Sequence, residues 1–372
     1  MPLMDLRGQS LRLDPVAMLR RLRGAPLPLR FSAGIWCFSP AASRFHEPYQ
    51  PARSIEERLA LAAELKPDGL AALEAHVPDE ISRENLDLWR RFSAETGIRV
   101  LTVIPQLFRD AEFEFGSLSS PIEPARRRAI ERTIEALELN RDLDTDFMVL
   151  WPGIDGVELS YGADIVGQRE RFAEGLAEAM EAVPGVRVAF EPKPYEPRGR
   201  ILFGTTAEGM LLAPMVESRL RHPRNRALLD RGDALLCLNP EIGHVLMGYE
   251  DLAMAIAWPL GQGRLAHLHV NSQPLGNYDQ DLSVGLISPE QLDGLLLLLR
   301  LHGYDGSMGI DINPERLPVE TAIRLSMDAL RFANERIDAI DHARLIDAWT
   351  SPAQHRGTVE RILLESYRRA PR

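Results

Sequence analysis

The sequence has very few cysteines and lacks any long apolar run. Cys37 and Cys237 are its only two cysteines, which argues against a secreted disulfide framework and favours a reducing compartment. The first residues, MPLMDLRGQSLRL, lack the unbroken apolar segment of a signal peptide. The apolar run 295–299 is closed by Arg300, far short of the roughly 20 residues that cross a bilayer. We therefore expect a cytoplasmic protein that has no membrane partner.

An excess of positive charge is also missing. The chain carries 54 acidic and 43 basic side chains, which gives a net charge of −11. Nucleic-acid surfaces need clustered positive charge, so no nucleic-acid partner is expected. The acidic balance is compatible with a buried group of carboxylates whose charge a metal ion neutralises. With 45% hydrophobic and 26% charged residues, the composition is typical of a well-packed globular protein.

The sequence does contain a regular alternation of short β-type runs and longer helical segments. The predicted strands are 31–37, 69–75, 98–104, 147–151, 186–191, 234–238, 265–270 and 308–312. The predicted helices are 55–65, 83–95, 124–139, 169–182, 206–212, 250–257, 289–301 and 318–334. Eight strands, each followed by a helix, predict an α/β fold of the (β/α)₈ TIM-barrel type. A doubly wound open sheet usually shows a glycine-rich phosphate loop after its first strand, and SAGIWCFSP is not such a loop.

Two short helical extensions flank the predicted barrel. Residues 1–29 form an N-terminal extension with one possible helix at 15–23, and residues 30–336 form the barrel. Residues 337–372 form a C-terminal tail with two short amphipathic helices. Such tails usually cover a barrel rim or a neighbouring subunit.

Acidic and histidine residues stand at the ends of the fifth and sixth predicted strands, where barrels of this kind carry their sites. Glu191 closes the fifth strand and Lys193 follows two residues later, so Glu191 could bind a cation or equally pair with Lys193. Glu241 and His244 are three residues apart after the sixth strand. On one helical turn they could meet the same ion, although an incidental histidine at a helix start explains them about as well.

The seventh and eighth strands add further polar residues. His267 and His269 lie on one face of the seventh strand because side chains alternate along a strand, and whether His267 faces the site or the core stays open. The next loop carries the pair Asp279 and Asp281, which is weak evidence by itself. Asp311 stands between two isoleucines at the end of the eighth strand, where it could also be a hydrogen-bonded core residue.

Taken together, these residues need a common explanation, because bare acids at this density would repel one another and raise their own pKa values. The simplest one is a pair of divalent cations that share a bridging carboxylate. The seven predicted metal ligands are Glu191, Glu241, His244, His269, Asp279, Asp281 and Asp311.

Three aromatic residues follow other predicted strands. Trp36, Phe108 and Trp151 stand at the ends of the first, third and fourth strands. They would form an apolar floor that keeps water away, which suits hydride transfer, although each could be an ordinary core residue.

Several segments resemble metal-binding segments of the xylose isomerase family, in the same order and at similar spacing. They are EPKPYEPRGRIL at 191–202, LNPEIGH at 238–244, YDQDL at 278–282 and the strand of Asp311. The resemblance implies a first metal bound by Glu191, Glu241, His269 and Asp311. It implies a second metal bound by Glu241, His244, Asp279 and Asp281, with Glu241 bridging the two.

The resemblance also implies roles in substrate handling. His76 and Asp79 are similar to a histidine–aspartate pair that opens the sugar ring, and Lys193 to a lysine that polarises the substrate carbonyl. The implied substrate-binding residues are Trp36, Phe108, Trp151 and Asn271. A small sugar substrate and a homo-oligomer, either a dimer or a tetramer, are expected from the family.

One ligand departs from the family pattern. The family has an aspartate where this chain has His269, whereas related rhamnose isomerases carry a histidine at the equivalent place. Because imidazole is a softer ligand than carboxylate, we expect Mn²⁺ or Co²⁺ to be favoured over Mg²⁺.

These features predict an enzyme that interconverts an aldose and a ketose by a two-metal-assisted 1,2-hydride shift. Three alternatives stay open: a metal-dependent keto-sugar epimerase, a C-glycoside-processing enzyme and a non-catalytic sugar-binding barrel. A related metal-dependent endonuclease is disfavoured by the net charge of −11.

Overall fold

A computed structural model describes residues 13–40 and 45–368 of the chain. Ten strands are present in this part. They are β1 Arg30–Gly34, β2 Leu70–Val77, β3 Arg99–Pro105, β4 Met148–Leu150, β5 Gly156–Val157, β6 Val188–Phe190, β7 Arg200–Ile201, β8 Leu236–Leu238, β9 Leu268–Val270 and β10 Ser307–Ile310.

Eight of these strands are the predicted ones, and they pair in parallel in two adjoining sheets. The strand orders are β3-β2-β1-β10-β9 and β4-β6-β8. At one junction, single parallel bridges join Leu238 to Leu265 and Glu241 to His269. At the other, the Val149 amide donates to the Thr102 hydroxyl over 2.9 Å instead of to a strand backbone. The parallel β/α alternation confirms the predicted fold class.

The helices follow the strands as the sequence predicts. They are α1 Pro15–Leu22, α2 Ile55–Glu64, α3 Leu86–Thr96, α4 Glu123–Asp142, α5 Ile165–Ala182, α6 Thr206–Glu217, α7 Pro223–Asp230, α8 Ile242–Met247, α9 Leu252–Gly261, α10 Pro289–His302, α11 Val319–Ala339, α12 His342–Thr350 and α13 Thr358–Ser366. Helices α7 and α8 were not predicted, and α11 continues three residues past the predicted barrel end at 336. No helix in the described ranges is both long and apolar enough to cross a membrane.

The first strand ends earlier than predicted, and this places an aromatic residue at the site. The chain leaves the strand after Gly34 and forms a 3₁₀ turn at Ile35–Phe38. This turn directs Trp36 toward the carboxyl ends of the strands, where it lies against the ring of His76 at 4.5 Å. Cys37, in the same turn, and Cys237, in β8, are both buried and unbridged.

A small hairpin fixes two loops at the same end of the barrel. Strands β5 and β7 pair antiparallel, with Gly156 opposite Ile201 and Val157 opposite Arg200. These strands lie in the loops that follow β4 and β6, which carry Trp151 and Lys193. The hairpin therefore fixes these two loops to each other.

The inside of the barrel has an apolar layer and a polar layer. Alternate strand positions fill the interior with a small buried cluster: Ala72, Leu101, Ile104, Phe147, Val149, Ala189, Cys237 and Ala266. Such layers of inward side chains are the usual filling of this fold. Other inward positions are polar and fully buried, among them Glu74, Thr102 and His267. Each of these polar groups must find a partner inside the barrel.

The C-terminal helices pack on the outside of the last two barrel helices. Arg336 of α11 pairs with Asp293 of α10 at 2.7 Å, and the Tyr367 hydroxyl lies 3.3 Å from the same carboxylate. The tail therefore covers helices α10 and α11 rather than the mouth of the barrel.

The contact at the β3–β4 junction leads to a stability prediction. Thr102→Val leaves the buried Val149 amide without an acceptor, so we expect a loss of about 1–3 kcal/mol in the free energy of unfolding. Thr133→Val is the matched control, since Thr133 is equally buried and donates to the Ala129 carbonyl within α4. That carbonyl belongs to the helix ladder, so the control should lose less. Urea unfolding of both variants measures the difference, and equal losses would contradict the proposed junction.

Candidate metal centre

The predicted site residues meet at the carboxyl ends of the barrel strands, around a cavity of about 400 Å³. All seven predicted metal ligands line this cavity, together with His76, Asp79, Lys193, Trp36, Phe108 and Trp151. Asn271 is the one predicted site residue that does not line it. Its side chain is 1% exposed and lies behind the carboxylates, which argues against a direct contact with substrate.

One group of ligand atoms surrounds His269. Its Nδ1 lies 2.9 Å from Glu191 Oε2 and 3.3 Å from Asp311 Oδ2. Despite these short distances, Nδ1 has no hydrogen bond of normal geometry. Glu241 offers a further oxygen within 4.8 Å of the His269 and Asp311 atoms. This arrangement of a nitrogen and several oxygens is that of ligands around one ion.

A second group lies beside the first. His244 Nε2 lies 3.3 Å from both Glu241 Oε2 and Asp279 Oδ2. Glu241, Asp279 and Asp281 also offer oxygens within 4.8 Å of one another. Glu241 therefore belongs to both groups, at the position of a bridging carboxylate.

Crowding of negative charge dominates the electrostatics of the centre. Burial, together with the carboxylates of Asp279 and Asp281, raises the pKa of Glu241 well above its usual value. Burial and the carboxylates of Asp279 and Asp311 do the same to the pKa of Asp281. These two acids resist ionisation as long as no cation offsets their mutual repulsion.

Positive groups act in the opposite direction at the same cavity. Burial works against the charge of Asp279, but His244 and Lys193 outweigh it and lower the pKa of Asp279. Burial likewise opposes the charge of His269, yet the carboxylates of Glu74 and Glu191 raise its pKa well above the usual value. The cavity therefore holds charges of both signs in close contact.

Amide and indole groups orient the ligand oxygens. Asn271 Nδ2 donates to Glu241 Oε1 at 2.7 Å and to Asp281 Oδ1 at 3.0 Å. Trp36 Nε1 donates to Asp311 Oδ1 at 2.7 Å. The sequence interpretation missed Asn239, whose Nδ2 donates to Glu191 Oε2 at 2.7 Å. Its position directly after β8 was the available signal.

A glycine makes the close approach of these groups possible. A Cβ atom on Gly243 would lie 2.6 Å from Asn271 Oδ1 and 2.8 Å from Glu241 Oε1. A larger residue would therefore push the bridging carboxylate away from its amide donor.

The residues present fit divalent metal ions. Carboxylate oxygens and imidazole nitrogens are the donors that first-row divalent metals accept. The Nδ1 atoms of His244 and His269 and one oxygen of Asp279 are buried without a hydrogen-bond partner, and a cation would supply what these acceptors lack.

Lys193 occupies the wall next to the second group. Its Nζ donates to Asp279 Oδ2 at 2.6 Å and lies 5.1 Å above the ring of Trp151. Burial opposes its charge, but Asp279 raises the pKa of Lys193 above the usual value. The side chain is therefore a fixed cation and not a proton acceptor.

In the structure His76 pairs with Glu80 and not with Asp79, so the predicted His76–Asp79 pairing is wrong. His76 Nδ1 lies 3.2 Å from Glu80 Oε2, which also accepts from the His76 amide at 2.8 Å. Asp79 instead accepts from Arg109 at 2.8 Å. The reason is the turn after β2, in which the Glu80 amide donates to the His76 carbonyl. This turn places the side chain of Glu80, rather than that of Asp79, beside the histidine ring.

The predicted aromatic residues form one continuous row. The ring centroids of Trp36 and His76 are 4.5 Å apart, those of His76 and Phe108 are 5.9 Å apart, and those of Phe108 and Trp151 are 4.7 Å apart. Trp151 Nε1 is buried and has no hydrogen-bond partner. The row gives the cavity an apolar wall with one donor left for a ligand.

The sequence interpretation also missed Glu74. It lies within β2 and is fully buried, with Oε1 2.9 Å from His267 Nε2 and Oε2 2.9 Å from His269 Nε2. His267 therefore faces the barrel interior below the ligand groups. The available signal was a lone acid in the apolar run 70–77, two residues before His76 and hence on the same strand face.

The chain belongs to the xylose isomerase-like TIM-barrel family, since the family model described as "Xylose isomerase-like TIM barrel" matches residues 59–333. This confirms the resemblance seen in the sequence. The xylose isomerase of Thermus thermophilus is 30% identical over 313 residues, which cover 79% of this chain and 75% of that protein.

Solved structures show the same fold. A D-tagatose 3-epimerase-like protein superposes with a TM-score of 0.57 at 15% identity, covering 83% of this chain and 100% of that one. An L-ribulose 3-epimerase superposes with a TM-score of 0.56 at 18% identity, covering 88% and 99% of the two chains.

The charge crowding at Glu241 leads to a prediction about the metal-free protein. Because the folded state raises the Glu241 pKa, it holds more protons than the unfolded chain above about pH 4, so this group lowers stability as the pH rises. Glu241→Gln removes that slope, and we expect the metal-free variant to be more stable than wild type, increasingly so from pH 5 to pH 8. Thermal unfolding across this pH range measures it.

Metal binding should make wild type more stable than Glu241→Gln, the reverse of the order expected without metal. Mn²⁺ at about 100 times its dissociation constant stabilises a protein by about 2.7 kcal/mol per site, and Glu241→Gln should lose most of this gain. A variant that keeps the full gain would show that Glu241 is not a shared ligand, and one that is less stable than wild type without metal would contradict the charge crowding at Glu241.

Proposed function

We propose that this protein is a sugar isomerase that interconverts an aldose and a ketose by a two-metal-assisted 1,2-hydride shift. The observation that carries the proposal is the position of Glu241 in two adjoining ligand groups, with the cation Lys193 beside the second group. Bound ions would supply Lewis-acid stabilisation of negative charge on substrate oxygens. Of the metals, Mn²⁺ or Co²⁺ is proposed to be favoured, with Mg²⁺ possible in their place.

Side chains of the protein are proposed to carry out the other steps of the reaction. Lys193 can donate to a carbonyl oxygen and stabilise its growing charge while hydride moves between the neighbouring carbons. It can do so without accepting a proton, because Asp279 keeps it charged. The hydroxyl oxygen of one carbon gives up its proton, the hydride leaves that carbon with its electron pair and adds to the neighbouring carbonyl carbon, and the oxygen there takes up a proton. No solvent proton therefore enters the carbon skeleton.

Ring opening needs a proton carrier, and His76 is proposed for this role. Its ring lines the cavity, and Glu80 holds it at 3.2 Å. A histidine held by a carboxylate can take the proton of a sugar hydroxyl and return one to the ring oxygen. The neighbouring aromatic row restricts water near the reacting carbons.

A second candidate is a keto-sugar epimerase. The observation in its favour is that Glu191 and Asp311 both lie next to His269 Nδ1, at 2.9 and 3.3 Å. Two acids on opposite sides of one ion could remove a proton from a carbon and return one to the other face. Both candidates act on small sugars, and for both we propose a cytoplasmic homo-oligomer, a dimer or a tetramer.

The test uses Mn²⁺-loaded protein and a panel of aldoses and ketoses followed by NMR. Aldoses labelled with deuterium at the second carbon test the isomerisation, and 2-ketoses labelled at the third carbon test the epimerisation next to the carbonyl. A hydride shift keeps the label in the product, whereas proton removal and return exchanges it with water. Loss of the aldose label wholly to water would contradict the proposed hydride shift, and loss of the ketose label would favour the epimerase. Sugar binding without any turnover across the panel would favour a non-catalytic barrel.

A prediction on Lys193 tests the proposed division of work. Lys193→Met should lower kcat about 10²–10³-fold, since it removes a donor aimed at developing charge, while Mn²⁺ binding persists in calorimetry. Lys193→Arg keeps the charge and should retain more activity than the methionine variant. Equal kcat values for wild type and Lys193→Met would remove Lys193 from the mechanism.

A further inference from the structure

We propose that Glu74 is a positioning residue that fixes the tautomer and orientation of His269 and thereby sets the affinity for one of the two metal ions. The inference rests on the proposed metal centre. Glu74 does not line the cavity and reaches the centre only through the histidine ring.

The contacts of Glu74 define its role. Oε2 lies 2.9 Å from His269 Nε2. Oε1 lies 2.9 Å from His267 Nε2 and accepts from the Ser32 hydroxyl at 2.8 Å. The side chain is 0% exposed, so these three groups replace the water that an ionised carboxylate requires. Both oxygens are therefore occupied, and the carboxylate has one orientation.

This arrangement decides which nitrogen of His269 is available to a metal. A carboxylate only accepts hydrogen bonds, so the Nε2 of His269 carries the proton that Glu74 binds. When a metal ion displaces the second proton of the imidazole, the lone pair is left to Nδ1, which faces Glu191 and Asp311. Those two are also acceptors, and a cation between them and Nδ1 satisfies all three. Carboxylates behind metal-bound histidines commonly act in this way.

The neighbouring strand leaves these side chains little freedom. A Cβ atom on Gly309 of β10 would lie 2.8 Å from Glu74 Oε1, 2.5 Å from His267 Nε2 and 2.8 Å from His269 Cδ2. The glycine backbone thus packs directly on the three side chains. The rings cannot easily flip, and the tautomer choice made by Glu74 is retained.

The effect should be confined to one ion. Glu74 contacts His269, which belongs to the group with Glu191 and Asp311. The second group depends on His244, Asp279 and Asp281. Their side-chain contacts include Lys193, Glu191, Glu241 and Asn271 but not Glu74. Loss of the Glu74 carboxylate should therefore weaken the binding of the ion at His269 and leave the affinity for the other ion unchanged.

The experiment compares wild type with Glu74→Gln and the control Ser32→Ala. Glutamine keeps the size but offers only one acceptor, so it cannot bind both histidine N–H groups. Calorimetry with Mn²⁺ should show about 10–100-fold weaker binding of one ion, with the other ion bound as in wild type. The Co²⁺ absorption spectrum should change in Glu74→Gln, because the ligand field of one ion changes. Ser32→Ala leaves the His269 contact intact and should bind both ions like wild type.

A second measurement is made on the wild-type protein. Long-range ¹H–¹⁵N NMR of wild type loaded with Mg²⁺ or Zn²⁺ reads the tautomer of His269, assigned by loss of its signal in His269→Gln. We expect a proton on Nε2. A proton on Nδ1, or a folded Glu74→Gln that binds both ions like wild type, would overturn the inference. If wild type itself binds no divalent ion, the proposed metal centre fails and the inference on Glu74 fails with it, whereas unchanged binding in Glu74→Gln contradicts only the inference.

Discussion

The site depends on the repulsion between carboxylates that the fold brings to one end of the barrel. Glu241 is 2% exposed, and Asp279, Asp281, Asp311 and Glu191 all act to raise its pKa. A protein does not gather acids in this way for stability, because each buried negative charge opposes the next. The repulsion is therefore what a bound cation would relieve, so the same contacts that raise the energy of the metal-free centre would provide the proposed affinity for metal. Metal binding and folding would then be linked through this one cluster.

The rest of the structure holds the cluster together against this repulsion. Parallel strands bring Glu191, His269 and Asp311 to one rim although about 120 residues separate the first from the last in sequence. Asn271 and Trp36 donate hydrogen bonds to ligand oxygens, and Lys193 brings a positive charge to the edge of the cluster. The apolar layer beneath excludes water from the other side. Each of these groups stabilises the cluster, whose carboxylates would otherwise move apart because they repel one another.

Much of the fold and of the candidate site could be predicted from the sequence, and the residues that were missed or wrongly paired were so for physical reasons. Residues such as Glu241 and Asp311 were found because an acid that follows an apolar strand needs a cation or a donor. Glu74 was missed because it lies inside a strand, where its partners, His267 and His269, are almost 200 residues away and only the folded barrel brings them near. The pairing of His76 with Glu80 instead of Asp79 depends on the course of one turn, which residue spacing does not determine.

Glu74 also changes how the exchange of aspartate for histidine at position 269 should be understood. From the sequence, the exchange removes a negative charge from the centre. In the structure, the Glu74 carboxylate lies 2.9 Å behind the histidine ring, and the two histidines hold its pKa well below the usual value against the effect of burial. The charge is thus retained one residue further from the ions, while the atom that faces them becomes nitrogen. A preference for Mn²⁺ or Co²⁺ over Mg²⁺ would then arise from the type of donor and not from a lower total charge.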